Sequence, residues 1–282
     1  MSIVLPTKPI PATSTNPQYL VLYGLPKAGK TSAVAQLENN LIVDLEGGSK
    51  FIDALAVQAR TINDLGEIAQ AIRAKNEEVG HNFYKHITID NATRLEDICM
   101  SYACTLYRQT ELGKNWKGTD VTTLARGAGY KYLRDAVKKV IDMFKDLCDE
   151  FILIGHVKDS ITDKDGEEVN AKEIDLVGKL GKIVCGMADA VGYVYRKDNE
   201  THISFKSGGD GTIMEARARH IAGKDIVIAT GNEDGSITTY WDKIYIPDGI
   251  DPIEYLVEKY PGEYEDLLKS VEDSQREVRL NN

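Results

Sequence analysis

Residues 19–31 read Tyr-Leu-Val-Leu-Tyr-Gly-Leu-Pro-Lys-Ala-Gly-Lys-Thr, an apolar run that enters a loop of the form G-x-x-x-x-G-K-T. The first five of these residues are typical of a buried parallel strand, and residues 32–37 are good helix formers. A strand before the loop and a helix after it form the setting that a phosphate-binding P-loop requires. The alternative is an ordinary glycine-containing turn that opens a helix, and the strand, the loop and the lysine together disfavour it.

The residue types in this loop suit the binding of a nucleotide. Glycines allow the backbone to approach a phosphate closely, and the amides of residues 27–31 then converge on it at a helix N-terminus. We expect Lys30 to reach the β- and γ-phosphates and the Thr31 hydroxyl to bind Mg²⁺. The residues expected to contact the nucleotide belong to the loop and the first helical turn: Gly24, Pro26, Lys27, Ala28, Gly29, Lys30, Thr31 and Ser32.

Length and composition favour one nucleotide-binding core with appendages. The chain has 282 residues, of which 42% are hydrophobic, enough for one large α/β domain. The sequence divides into an extended leader (1–17), the core (18–247) and an acidic helical tail (248–282). The four cysteines form no C-x-x-C pair, which predicts free buried thiols and no structural metal.

The charge and hydropathy patterns bear on partners and location. No apolar run approaches the length of a membrane span, and the first residues lack a signal peptide's apolar stretch, so we expect a soluble cytoplasmic protein with no membrane partner. The net charge of −10 argues against a surface that is basic all over. Residues 126–145 nevertheless carry six basic side chains against two acids. The acidic C-terminal segment is expected to be a solvated helical tail, with docking of a protein partner as the alternative.

Carboxylates stand where two further strands are expected to end. Residues 41–45 form a short apolar run around Asp44, with Glu46 directly after it, and residues 86–89 lead to Asp90. Because the ligand site of an open α/β sheet lies at the carboxyl ends of its strands, these acids should fall on the same side as the P-loop. Asp90 would hold the water shell of Mg²⁺. Capping of the following helix is its alternative role.

A histidine and two arginines complete the candidate site residues. The strand expected at 151–155 leads to His156, which would sense the γ-phosphate, unless it is an ordinary hydrogen-bonded structural histidine. Arg217 and Arg219 follow a glycine-rich loop, and a guanidinium against a transferring phosphoryl group stabilises the transition state, often from a neighbouring subunit. Solvent-exposed charges without such a role are the alternative.

The second half of the chain changes to a different pattern of elements. Its expected features are β-hairpins from residue 157 with a turn at 163–166, a helix-like stretch at 176–190, strands at 191–196 and 201–206, a last strand pair at 237–246 and helices at 251–275. A long amphipathic helix precedes this half, at about residues 131–148.

Three features resemble, in their order, the RecA-like class of P-loop ATPases: the loop from Gly24 to Thr31, the run Asp44-Leu45-Glu46 and the strand end Ile89-Asp90. With the strand end at His156 and the later Arg217-x-Arg219, they look like the phage-type, core-only members. Those are often described as AAA-family ATP-binding proteins, and some act as single-strand annealing recombination proteins. The resemblance covers roughly residues 18–230. It implies an α/β, RecA-like P-loop NTPase fold with a mostly parallel central sheet flanked by helices, β-hairpins in the C-terminal half and a helical C-terminal tail.

The resemblance also implies cofactors and roles. ATP and Mg²⁺ would be the cofactors. The implied roles are phosphate binding for Lys30, Mg²⁺ binding for Thr31, a second-shell Mg²⁺ carboxylate for Asp90, a general base or water-positioning group for Glu46, a sensor for His156, and a finger across a subunit interface for Arg217 or Arg219. His156 departs from the bacterial recombinases, which carry an amide side chain there.

The function implied is a Mg²⁺-dependent ATPase of phage-type DNA recombination or replication. It would couple ATP to assembly on single-stranded DNA as a homo-oligomeric ring or filament, in the host cytoplasm if a phage encodes it. No separate DNA-binding domain is recognisable, so loops or the strip at 126–145 would bind DNA. One alternative is a small-molecule P-loop kinase, although no arginine-rich lid is evident. Another is a nucleotide-gated loader or packaging factor without direct DNA stimulation.

Overall fold

The structure, a computed structural model, describes residues 5, 7, 8, 10, 12–164, 167–207, 214–266, 268 and 269, and only the backbone of 160–164 and 167–171. The strands are β1 (Tyr19–Gly24), β2 (Asn40–Asp44), β3 (Ala56–Gln58), β4 (His86–Asp90), β5 (Glu150–Lys164), β6 (Glu167–Ile174), β7 (Ala190–Lys197), β8 (Glu200–Ser204), β9 (Glu215–Ala216), β10 (Asp225–Gly231) and β11 (Ile237–Thr239). The helices are α1 (Lys30–Ala35), α2 (Ile62–Val79), α3 (Ala92–Arg108), α4 (Gly129–Lys145), α5 (Leu180–Met187) and α6 (Pro252–Lys259).

The strands form one sheet of 11 strands, and the P-loop strand lies near its middle. The order along the sheet is β11-β10-β8-β7-β1-β5-β4-β2-β3, with β6 paired to β5 and β9 paired to β7. From β7 to β3 all neighbours along this path are parallel, whereas β8, β10 and β11 are added antiparallel. The predicted α/β fold with a mostly parallel central sheet flanked by helices is therefore confirmed.

The register of the parallel strands brings their carboxyl ends together. Gly24 at the end of β1 is the partner of His156 on β5, and Asp44 is the partner of Asp90 across β2 and β4. Strands β1, β2 and the first part of β5 are buried on both faces, which is why they read as continuous apolar runs. The sheet thus places the predicted P-loop, carboxylates and histidine along one edge, here called the carboxyl edge.

Alternate residues of β1 enter two different cores. Tyr19, Val21 and Tyr23 pack with residues of α2, α3, α4 and α5 on one face of the sheet. Leu20 and Leu22 pack on the other face with α1 and with the segment around Trp241. Each fully buried aliphatic side chain of this kind contributes about 1.5–3 kcal/mol, so both layers hold β1 and the P-loop that follows it.

The long hairpin predicted from residue 157 is present. Strand β5 continues beyond the parallel sheet and pairs antiparallel with β6, from Val157 opposite Ile174 to Lys164 opposite Glu167. The turn itself, at residues 165 and 166, lies outside the described residues, as do residues 270–282 of the predicted tail. Among the described residues, no helix combines the length and the apolar character needed to cross a membrane.

The prediction of a strand pair at 237–246 is wrong. Only Ile237–Thr239 is a strand, and it pairs with β10, whereas Trp241–Lys243 is a 3₁₀ turn. The indole Nε1 of Trp241 donates a hydrogen bond of 2.7 Å to the carbonyl of Ala33 in α1. The apolar residues after Tyr240 therefore pack beneath the P-loop helix instead of extending the sheet.

Candidate nucleotide-binding site

The backbone of the P-loop requires its glycines. Gly29 has a φ of 91°, in the left-handed region, and a Cβ atom at Gly24 would lie 2.2 Å from the carbonyl oxygen of Val194. Gly29 also forms the N-cap of α1, where no side chain caps the helix. The amides at the start of α1 are therefore not occupied by a capping side chain, which leaves them available to a phosphate.

Lys30 is buried at the centre of the loop, with 6% of its surface exposed. Its Nζ donates to the carbonyl oxygens of Gly24 at 2.9 Å and Leu25 at 2.7 Å. Burial lowers the pKa of Lys30, while Asp90 and then Glu46 act in the opposite direction. An ammonium group has three donors, so two bonds to the loop leave one donor for a phosphate oxygen.

Thr31 and Asp90 are brought together as the expected metal pair. The Thr31 hydroxyl donates to Oδ2 of Asp90 at 2.6 Å. Burial raises the pKa of Asp90, with smaller contributions in the same direction from Asp44 and Glu46. A hydroxyl and a carboxylate oxygen suit Mg²⁺, which binds one or two protein oxygens and takes its other ligands from water and phosphate. The residues present therefore fit a Mg²⁺ ion bound with a nucleotide.

Asp90 does not cap the following helix. The N-cap of α3 is Asn91, whose Oδ1 accepts from the amide of Arg94 at 3.0 Å. The alternative role that the sequence left open for Asp90 thus belongs to its neighbour, and the Asp90 carboxylate stays directed at Thr31.

Asp44 organises the loop that carries Glu46. Its carboxylate accepts hydrogen bonds from the amides of Glu46, Gly47 and Ser49 and from the hydroxyl of Ser49. Burial alone would raise the pKa of Asp44, but the bonds from Ser49, Gly47 and Glu46 outweigh it and lower the pKa. Asp44 is consequently a buried loop anchor, and the Glu46 side chain is free to face the site with 47% of its surface exposed.

Glu46 lies beside His156, and Asn91 lies beside the same ring nitrogen. Glu46 Oε1 is 3.6 Å from His156 Nε2, and Asn91 Nδ2 is 2.8 Å from it. Since Asn91 Oδ1 already accepts from Arg94, its amide nitrogen points at the histidine and Nε2 acts as the acceptor. The other ring nitrogen, Nδ1, is buried without a hydrogen-bond partner in the described part of the chain. The polar residues at the predicted strand ends indicated His156 and Glu46, but they did not indicate Asn91.

A family model described as an AAA domain matches residues 16–236. The chain belongs to the AAA domain family. The match includes the P-loop, Glu46, Asp90 and His156, and this membership indicates an AAA-type P-loop ATPase that binds and hydrolyses ATP, typically with Mg²⁺. A comparison with curated proteins finds no match.

In this AAA domain, the β5–β6 hairpin begins directly after His156, beside the candidate nucleotide-binding site. The carbonyl of His156 accepts from the amide of Asp175 at 2.8 Å, where β6 returns to the sheet. The hydroxyl of Thr93 donates to the carbonyl of Asp175 at 2.8 Å, and the amide of Val177 donates to the carboxylate of Glu96 at 2.8 Å. The base of the hairpin is therefore fixed both to the strand that carries His156 and to the start of α3.

The β7–β8 hairpin contributes residues to the site that the sequence did not indicate. Buried Thr201 approaches Gly29, since a Cβ atom on that glycine would lie 2.9 Å from its Oγ1. Val194 is the partner of Gly24, and β7 continues beyond it to Arg196 and Lys197, which are exposed. A strand advances about 3.3 Å per residue, so these two cations lie roughly 7–10 Å beyond the end of β1. Their place near the P-loop follows from the pairing of β7 with β1, which the sequence does not show.

Arg217 and Arg219 lie away from the P-loop of their own subunit. Arg217 donates from Nη1 to Oδ1 of Asp189 at 3.2 Å, while Oδ2 of Asp189 accepts from the amides of Gln18 and Tyr19. This is the amino end of β1, about 17 Å from Gly24 at 3.3 Å per residue. Both arginines are exposed. Neither arginine reaches the site within one chain, and action on a neighbouring subunit stays a prediction.

Proposed function

We propose that this AAA domain hydrolyses the β–γ bond of ATP with Glu46 as the group that positions and activates the attacking water. The observation that carries the proposal is the convergence of Lys30, the Thr31–Asp90 pair and Glu46 at the carboxyl edge. A half-exposed carboxylate beside the phosphate-binding loop is accessible to water and can accept its proton.

Each residue of the site has a distinct part in this reaction. The loop amides and Lys30 bind the phosphates and offset their charge. Mg²⁺, when bound, neutralises charge on the β- and γ-phosphate oxygens. Glu46 accepts a proton from the water while the water oxygen attacks the γ-phosphorus. ADP leaves with the electrons of the broken β–γ bond. His156 contacts Glu46 from the strand that leads into the β5–β6 hairpin, so it is suited to relay the state of the nucleotide.

The finer proposal is that hydrolysis is coupled to assembly on single-stranded DNA in phage-type recombination or replication. The order of motifs and its resemblance to phage-type RecA-like ATPases support it. The position of Arg217 and Arg219, at the end of the sheet opposite to the P-loop, supports a homo-oligomer in which one subunit completes the site of the next. Such an arrangement is the heterologous contact that generates rings or filaments.

The charge of the β5–β6 hairpin favours a second candidate, a nucleotide-gated loader or packaging factor. Residues 157–175 contain seven acidic and three basic residues, a balance that opposes contact with a phosphate backbone. An acidic hairpin that begins at the sensor histidine would instead suit a basic protein partner.

Steady-state ATP hydrolysis with Mg²⁺, with and without single-stranded DNA at two salt concentrations, tests these proposals. DNA stimulation that weakens as salt rises supports coupling to DNA, because phosphate contacts release counterions. Turnover that does not respond to DNA favours the partner-gated candidate. Absence of any hydrolysis, with ATP still bound, would contradict the catalytic proposal itself.

A further inference from the structure

Helices α3 and α4 share a surface on which cations are held against aromatic rings, in a chain of net charge −10. We call it the α3–α4 basic face. Its cations are Arg108, Lys131, Lys138 and Lys139, and its rings are Tyr102, Tyr107, Trp116 and Tyr132. The Arg108 guanidinium lies 5.5 Å from the centre of the Trp116 ring. Nζ of Lys131 lies 6.0 Å from the centre of the Tyr132 ring, and Nζ of Lys139 lies 5.7 Å from the centre of the Tyr102 ring. These are cation–π distances.

The charge of this face is not neutralised by ion pairs. Among the described residues, Arg108, Lys131, Lys138 and Lys139 form no salt bridge within 4.0 Å. Arginine and lysine held by rings keep their full charge, whereas pairing with a carboxylate would cancel it. The four cations outnumber the two carboxylates that lie beside the lysines, Asp135 and Asp142, so the face keeps a positive surplus.

The aromatic residues are fixed in place before any ligand binds. Tyr107 packs against Trp116 with ring centres 5.3 Å apart and against Tyr132 with centres 5.2 Å apart. Arg108 donates to the carbonyl oxygens of Trp116 and Gly118, which fixes the segment after α3. All three rings are half-buried, so each retains accessible surface while its orientation is set by packing.

A groove runs along this face. It has a volume of about 330 Å³ between α3 and α4, and its charged lining is three lysines and two aspartates: Lys131, Lys138, Lys139, Asp135 and Asp142. Tyr102, whose ring faces Lys139, lines a larger groove of about 770 Å³ beside Arg60 and Arg94, where Asp97 pairs with Arg94 at 3.1 Å. Arg60 follows β3 and Arg94 follows β4, so the larger groove leads toward the carboxyl edge that holds the nucleotide site.

We propose that single-stranded nucleic acid binds along the α3–α4 basic face. Its phosphates lie on the four cations, and its bases contact the accessible surfaces of the aromatic rings. Basic grooves combined with aromatic side chains bind single strands with little sequence preference, because every base has a π-face. The rings favour nucleic acid over an acidic protein segment, which offers charge but no bases. The inference rests on the DNA coupling proposed above, and it assigns that coupling to a surface other than the acidic hairpin.

The test is fluorescence anisotropy with a labelled oligothymidylate, measured between 50 and 200 mM salt. Single-strand binding loses about 0.7 units of log K per unit of log salt for each phosphate contact, so four contacts give a slope of about −2.8. Wild-type affinity should then fall about 50-fold across this range. Replacing Lys131, Lys138 and Lys139 by glutamine should leave a slope of about −0.7 and a fall of about 3-fold. The matched control replaces three exposed lysines elsewhere: Lys182, Lys206 and Lys269.

A fluorescence signal locates the contact independently. The chain has two tryptophans, Trp116 on the face and Trp241 in the core, where 6% of its surface is exposed. Oligothymidylate should quench the emission of Trp116, and a Trp116→Phe variant should lose this quenching while the signal of Trp241 remains.

The outcomes separate this inference from the proposed function. Retained ATP hydrolysis without DNA shows that the triple variant is folded. If the wild type binds the oligonucleotide and the triple variant binds it equally well, the face is the wrong surface, although DNA coupling stands. If the wild type binds none at 50 mM salt, both the face and the DNA part of the proposed function fail. Binding of polyglutamate at this face without binding of the oligonucleotide would overturn the assignment to nucleic acid.

Discussion

Replacing Asp44 by asparagine should destabilise the loop that carries Glu46. The two carboxylate oxygens accept four hydrogen bonds, from the amides of Glu46 at 3.0 Å, Gly47 at 2.6 Å and Ser49 at 2.9 Å and from the Ser49 hydroxyl at 2.5 Å. Asparagine keeps one acceptor oxygen and presents an NH₂ group to the other donors. The hydroxyl can rotate to accept from that NH₂ group, but the amide of Ser49 cannot.

The magnitude follows from these contacts. A buried amide without a partner costs about 1–3 kcal/mol, and loss of the charge weakens the two bonds that remain by about 0.5–1 kcal/mol each. We therefore expect Asp44→Asn to lower the free energy of unfolding by about 2–5 kcal/mol. Ser49→Ala removes only the hydroxyl bond and should cost about 1 kcal/mol, which makes it the matched control.

The pH dependence has a definite sign. The pKa of Asp44 is lowered in the folded chain, so its stabilisation is present above the ordinary value of 3.8 and is lost as the pH falls through the folded value. Urea unfolding, followed by circular dichroism at pH 7 and at a pH below about 3, measures both effects. The reasoning is refuted if Asp44→Asn changes the free energy of unfolding at pH 7 by less than about 0.5 kcal/mol, or costs less than Ser49→Ala.

Three further predictions concern the nucleotide site and the buried thiols. Gly24→Ala should weaken nucleotide binding and stability together, because its methyl group would lie 2.2 Å from the Val194 carbonyl oxygen. The melting temperature, measured with and without ATP, checks this, and normal ATP binding would contradict the loop geometry. Lys30→Ala should reduce ATP affinity roughly 10- to 150-fold, because it removes a charged hydrogen bond worth about 1.5–3 kcal/mol. A titration with a fluorescent ATP analogue measures the affinity, and an unchanged value would remove Lys30 from the site. Thiol reagents should label the native protein only as fast as its fold opens, since all four thiols are buried and burial raises the pKa of Cys99, Cys148 and Cys185 to about 12. Rapid labelling at pH 7 would show instead that these thiols are accessible in the native protein.

The site residues that could be predicted from the sequence are those whose position depends on one strand alone. A run of apolar residues followed by a polar side chain gives the end of a parallel strand, and parallel strands end at one edge. Asp90 and His156 could therefore be assigned to the same edge as the P-loop without knowledge of their neighbours. Helices α2 and α3 likewise form where the apolar spacing of the residues matches one buried face.

The contacts that the sequence did not predict depend on which strands are neighbours. Asn91 meets His156 because β4 and β5 are adjacent, although 65 residues separate the two side chains. Thr201 and Arg196 lie near the P-loop because β7 pairs with β1, which no local pattern indicates. The bond between Arg217 and Asp189 likewise joins distant segments, and it moves a candidate catalytic arginine to the opposite end of the sheet.

The most direct test of the account is a comparison of ATP binding and turnover in wild type and Glu46→Gln. The variant keeps the shape of the side chain and the loop held by Asp44, but it cannot accept the proton of water. We predict ATP affinity close to that of wild type and single-turnover hydrolysis slower by about a hundredfold, the size of a lost general base. Hydrolysis at the wild-type rate in the variant would remove Glu46 from the mechanism and contradict the account.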